Sequence, residues 1–107
     1  MSRFMRLLVM FDLPVVSSED RKAAAEFRRF LLNDGYYMMQ YSVYVRICNG
    51  YEAAQKHIGR LKQKLPEHGS VRALTVTEKQ FMSMQILCGQ RHQDFDKNHQ
   101  EQMVLDL

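Results

Sequence analysis

The residue best placed to do chemistry is one carboxylate, Asp12, which follows the apolar run Leu7-Leu8-Val9-Met10-Phe11 and precedes Pro14 by two positions. Such a run, bounded by turn-forming residues, suits a strand buried on both faces. Proline cannot donate to a ladder, so the strand is predicted to stop near Asp12. A carboxylate at the rim of a rigid element is held where a ligand or catalytic group works best. A turn residue or helix cap is the plainer use of a lone carboxylate, and the residues leave both open. The second candidate chemistry is cationic. Arg21, Lys22, Arg28 and Arg29 fall in one segment and Lys56, Arg60, Lys62 and Lys64 in another. Arrays of this kind bind phosphates without reading sequence; a solvated helix face is the alternative.

Other reactive residue types offer less. Cys48 and Cys88 belong to no close pair, which argues against zinc ligation or a redox dithiol and for reduced thiols near strand ends. His57, His68, His92 and His99 lack H-E-x-x-H spacing and read as surface residues. No histidine or second acid lies close to Asp12 in sequence, so no general base is identified. Ser17, Ser18 or Tyr44 could position phosphate or water, although Ser17 also fits a helix cap.

The elements that must position these residues follow in order. Ser17 with Asp20 resembles a capping box, and Glu19 and Asp20 put negative charge in a first helical turn. A helix is predicted to about Asp34, with Ala23, Phe27, Phe30 and Leu31 as its buried stripe and Gly35 as its stop. Tyr36 to Ile47 is aromatic and β-branched, hence strand. Gln40-Tyr41-Ser42 is either a tight turn or a kink, giving a hairpin or one bent strand. Asn49-Gly50 is a break. A second helix is predicted over Tyr51 to Leu65, with Ala54, Ile58, Leu61 and Leu65 on one face and Pro66 and Gly69 ending it. Val71 to Thr77 reads as a strand. After the polar Glu78-Lys79-Gln80, alternation of Met82, Met84 and Ile86 with Ser83 and Gln85 predicts another strand over Phe81 to Leu87. The polar stretch beyond Gly89 ends Met103-Val104-Leu105-Asp106-Leu107, a frayed tail or an apolar hook for a partner.

The bulk numbers bound the answer. The chain has 107 residues, 46% hydrophobic and 25% charged, which suits one small globular domain, assigned to residues 1–89, with a tail at 90–107. No apolar run is long enough to cross a membrane, and a cytoplasmic location is expected. The net charge of +3 is compatible with a nucleic-acid partner and equally with none.

The order βαββαβ with an added C-terminal strand predicts an α+β, ferredoxin-like sandwich with both helices on one face of an antiparallel sheet. The other face needs cover, and a two-fold homodimer burying sheet against sheet supplies it, with the late strand extending the partner's sheet. A two-fold axis near the strand end would bring together two Asp12 carboxylates. One Mg2+ between them would relieve their repulsion, since magnesium takes one or two carboxylates and keeps several waters.

These motifs resemble a known family. Leu7 through Pro14, Gly35 through Gln40 followed by Tyr41-Ser42-Val43-Tyr44, Val71-Arg72 and Thr77 through Gln80 are similar, in this order, to the small CRISPR-associated Cas-two proteins. The run Gly69 through Phe81 looks most like members found with type II systems. The resemblance spans residues 5 to 89. It implies a homodimeric ferredoxin-like subunit of the spacer-acquisition complex, which bridges two dimers of an integrase and binds duplex DNA. It also implies that some members are metal-dependent endonucleases acting on RNA or DNA through the aspartate matching Asp12. The alternative is a single-strand RNA-binding module of the RNA-recognition-motif type, which shares this order of elements. Tyr41 and Tyr44 would then be stacking residues, but the RNP1 pattern is absent and tyrosine packing across strands accounts for both.

Overall fold

A computed structural model describes residues 3–89 of the chain. The expectations for residues 90–107, including His92 and His99, lie outside the described residues. The elements are β1 (Met5–Asp12), α1 (Ser18–Asn33), β2 (Tyr37–Gln40), β3 (Val43–Cys48), α2 (Tyr51–Lys62), β4 (Ser70–Thr77) and α3 (Glu78–Met82). The four strands form one antiparallel sheet in the order β2-β3-β1-β4, consistent with the ferredoxin-like arrangement.

β1 is central, and its two faces have different fates. Leu7, Val9 and Phe11 join the core beneath the helices, with Phe27 and Leu31 from α1 and Ala54 and Leu61 from α2. The Phe11 ring meets Phe27 edge-on and stacks on Tyr44. Arg6, Leu8, Met10 and Asp12 alternate onto the outer face. There they pair with Val76, Leu74, Arg72 and Ser70 of β4.

Local chemistry explains the boundaries. The Ser17 hydroxyl accepts the Asp20 N–H at 3.0 Å and starts α1. The helix ends in a Schellman closure, with the Tyr36 N–H donating to the Leu31 carbonyl and the Gly35 N–H to that of Leu32. Gly35 has φ +94°, and a Cβ there would meet the Arg46 guanidinium at 3.2 Å. The buried stripe of α1 is Ala24, Phe27 and Leu31; Ala23 and Phe30 sit at its margin. Residues 36–47 form a hairpin. Tyr41 and Ser42 make the turn, with Ser42 at φ 64°, and the ladder shifts register between Met38 and Gln40.

The sequence-based expectation fails at one element. Phe81 to Leu87 is not a strand within this chain: Phe81 and Met82 close the short helix α3, and residues 83–89 make no ladder. The reason is a full capping box. The Gln80 N–H donates to Thr77 Oγ1 at 3.0 Å while the Thr77 N–H donates to Gln80 Oε1 at 2.8 Å. The polar interruption is thus a helix start. It turns Phe81 back over the outer face, where Phe81 buries Leu8 and Val45.

Candidate functional site

Asp12 ends β1 on the outer face, exposed, and its carboxylate makes no hydrogen bond or ion pair with any described residue. Its position is set by backbone contacts. Across the ladder it faces Ser70, and Gly69 (φ +103°) lies so close that a Cβ there would come within 2.7 Å of the Asp12 carbonyl. On the other side, the Phe11 N–H donates to the Ser42 carbonyl at 3.0 Å, so the hairpin tip is tied to the same rim. Arg72 stands opposite Met10, on the same face as Asp12 and diagonal to it, exposed and without a partner among the described residues. Diagonal neighbours on a sheet face lie about 7–8 Å apart, within reach of a long side chain. Sequence reading overlooked Arg72 as a site residue. Its signal was the alternation Ser70, Arg72, Leu74, Val76, which becomes informative only once the register against β1 is known.

Among the described residues, no group of three or more His, Cys, Asp or Glu could hold a metal. The oxygen donors that one chain presents at this rim are the Asp12 carboxylate and, across the ladder, the Ser70 hydroxyl, which would make half of a magnesium site in a dimer. They fit the ion when a second Asp12 is brought to them, because magnesium is content with one or two carboxylates and water.

The cationic residues divide into two sets. Arg21 donates to the Val15 and Val16 carbonyls and so steadies the loop entering α1. Arg28 lies over the Tyr41 ring. Arg60 is bound to Asp34 at 2.9 Å. Lys22, Arg29, Lys56, Lys62 and Lys64 carry no ion pair among the described residues. Arg29 and Lys64 line a common groove between α1 and the segment after α2. Lys64 itself lies beyond the end of α2, which stops at Lys62 rather than near Leu65.

Two buried polar clusters went unread in the sequence. His57 is not a surface residue: its Nδ1 lies 2.9 Å from the buried Asp34 carboxylate, which Arg60 also binds, while the Asp34 carbonyl accepts Arg46 Nε at 2.6 Å. This knot fastens the end of α1 to α2 and β3. Beside it, burial pushes the Tyr36 phenol and the Cys48 thiol above their ordinary pKa values, with the Asp34 charge adding to both shifts. Both shifts favour the neutral forms, and Cys48 is a free thiol at the end of β3, in line with the sequence reading of a reduced thiol near a strand end. The other cluster centres on Arg6, only 1% exposed, whose guanidinium makes a forked pair with Glu78 at 2.7 and 2.8 Å, donates to the Tyr37 hydroxyl and lies over the Phe81 ring.

Of the tyrosines offered for stacking, Tyr44 is 4% exposed and belongs to the core, which removes it from any surface role; Tyr41 is 75% exposed. The strand-borne aromatic platform expected of an RNA recognition motif is therefore incomplete. The chain matches the family described as CRISPR associated protein Cas2 over residues 5–84. The chain belongs to the Cas2 family. The motif resemblance to the Cas-two proteins is thereby borne out. Relatives within the family include an Acidovorax ebreus protein 68% identical over 85 residues, covering 79% of this chain and 83% of its own. A Campylobacter jejuni protein is 49% identical over 87 residues, covering 81% of this chain and 61% of its own. A Flavobacterium psychrophilum protein is 41% identical over 99 residues, covering 92% and 86%. Each of the three bears the name CRISPR-associated endoribonuclease Cas2. Among the described residues, no helix is long and apolar enough to cross a membrane.

Proposed function

We propose that this chain is the homodimeric, cytoplasmic adaptation subunit of a type II CRISPR system. In this reading it bridges integrase dimers during spacer acquisition and hydrolyses RNA phosphodiesters with Mg2+ at paired Asp12 residues. The observation that carries the reading is the placement of Asp12: an exposed, unpartnered carboxylate fixed by backbone contacts at the rim of the most buried strand. Family membership supports the CRISPR role, and the endoribonuclease name of the relatives supports RNA cleavage.

The outer face supports the dimer. α3 covers only part of it, leaving Leu74, opposite Leu8, 52% and Ile47, opposite Arg6, 38% exposed. A second copy of the face would cover these residues and bring the Asp12 side chains toward one axis. A bound magnesium would lower the pKa of a water and offset charge developing on the phosphate. The chain itself supplies the Asp12 carboxylate, the Ser70 hydroxyl beside it and the Arg72 guanidinium, which suits a phosphate oxygen. Leu74→Glu is expected to give a folded monomer by light scattering, because the site is half-exposed, and to lose RNA cleavage with the dimer. A monomeric Leu74→Glu protein that cleaves at the wild-type rate would eliminate the paired site.

Duplex DNA would be held by the unpaired cations of the helical layer, Lys22, Arg29, Lys56, Lys62 and Lys64, rather than by Arg21 and Arg60, which are tied to the protein. Replacing the first set by glutamine should flatten the salt dependence of duplex binding by roughly 0.9 in log–log slope per lost contact. An unchanged slope in a filter-binding titration would place the DNA elsewhere.

A further inference from the structure

We propose that Tyr41 is a base-stacking residue that holds one unpaired nucleobase at the rim of the sheet that carries Asp12. The inference deepens the nuclease reading and rests on it only for the location of the cut. Three observations lead to it. Tyr41 is 75% exposed, whereas Tyr36 and Tyr44 are 4% exposed and the Tyr37 hydroxyl is bound to Arg6. Tyr51, 60% exposed, has no cation over its ring among the described residues and starts α2, away from the hairpin tip. The Tyr41 ring has the Arg28 guanidinium 5.8 Å from its centroid, close enough to steady it. Its backbone is also fixed, because Ser42 adopts φ 64° and accepts the Phe11 N–H. The β1–β3 ladder ends at Met10 and Val43, and the Phe11 N–H bond to the Ser42 carbonyl ties the hairpin tip to the end of β1 that carries Asp12.

The rim of the sheet therefore carries the hairpin tip with Tyr41 at the end of β1 where Asp12 lies, with Ser70 opposite Asp12 and Arg72 diagonal to it. An exposed aromatic ring on a turn has no core to fill. Every base has a π-face, so stacking on such a ring tolerates any sequence but requires an unpaired base. A strand with one base on Tyr41 would follow the rim toward Asp12 and Arg72. A duplex, whose bases are already stacked, gains nothing from the ring.

The test compares fluorescein-labelled single-stranded RNA with the duplex of the same sequence, by anisotropy in EDTA so that no cleavage occurs. Tyr41→Ala should weaken single-strand binding about tenfold and leave duplex binding unchanged, and Tyr41→Phe, which keeps the ring, should restore it. In magnesium, an abasic nucleotide next to the cleaved bond should raise KM about tenfold in the wild type, with kcat held, and have no further effect in Tyr41→Ala. Single-strand binding equal to wild type, or an equal loss for both nucleic acids, would overturn the assignment. If the wild type cleaves no RNA, the nuclease reading falls while the binding comparison still decides the role of Tyr41.

Discussion

Asp12→Ala is expected to lower magnesium-dependent RNA cleavage at least about 100-fold while shifting the melting temperature by no more than a few degrees. In the proposed site, several kcal/mol of charge stabilisation at the phosphate would depend on an ion held at the rim through Asp12. The small stability effect follows from the structure, where the side chain is exposed and bonded to no described residue. Asp12→Asn, isosteric but neutral, should behave like the alanine variant. The same proteins assayed for spacer integration with the partner integrase separate the two halves of the proposal. Integration that survives Asp12→Ala would make cleavage dispensable to acquisition. Cleavage that survives Asp12→Ala in a purified preparation would end the assignment of Asp12 as the catalytic ligand.

The largest stability effect is expected far from that rim, at Glu78→Gln. The Arg6 guanidinium is 1% exposed and its forked partner is the Glu78 carboxylate. Glu78→Gln removes the charge that faces the buried Arg6 guanidinium, which keeps its Tyr37 and Phe81 contacts, and costs roughly 3 kcal/mol, the low end for a buried pair because Glu78 is 23% exposed. In a domain of this size that lowers the melting temperature by more than about 12 °C. The loss should also loosen α3, since Glu78 opens that helix and Phe81, one turn later, packs under the same arginine. Exposed Phe81 would appear as dye binding at the outer face, ahead of global unfolding. Replacing both charges, as Arg6→Met with Glu78→Met, should recover most of the stability, because the cost lies in the orphaned charge and not in the lost attraction. A Glu78→Gln protein melting within about 4 °C of wild type would mean that the remaining contacts of Arg6 suffice to hold it.

Much of this molecule can be read from its residues. The apolar run to Asp12, the helical stripes and the order of elements suffice for the sheet, both long helices and the rim position of the carboxylate. They fail where partners are distant in sequence. Arg6 and Glu78 are separated by 72 positions, so an arginine that looks like a solvated N-terminal charge proves to be the anchor of the outer face. His57 and Arg60 similarly look like surface residues until α1 delivers Asp34 to them. The alternation from Met82 to Ile86 has strand period, but Thr77 and Gln80 form a local hydrogen-bonded box, and that box decides the backbone. Tyr41 and Tyr44 have the same side chain three positions apart; only the turn between β2 and β3 sends one outward and the other into the core.

The closeness of Gly69 to the Asp12 carbonyl acts as a firewall. Residues 63–69 link α2 to β4 over the surface, the kind of segment in which length and composition drift most freely. Any side chain at the last of these positions would have to occupy the space of the Asp12 backbone. Variation in the connection must therefore stop one residue before β4. The loop can change while the carboxylate stays where it is, so the chemistry proposed for the rim would be insulated from change in the chain that leads to it.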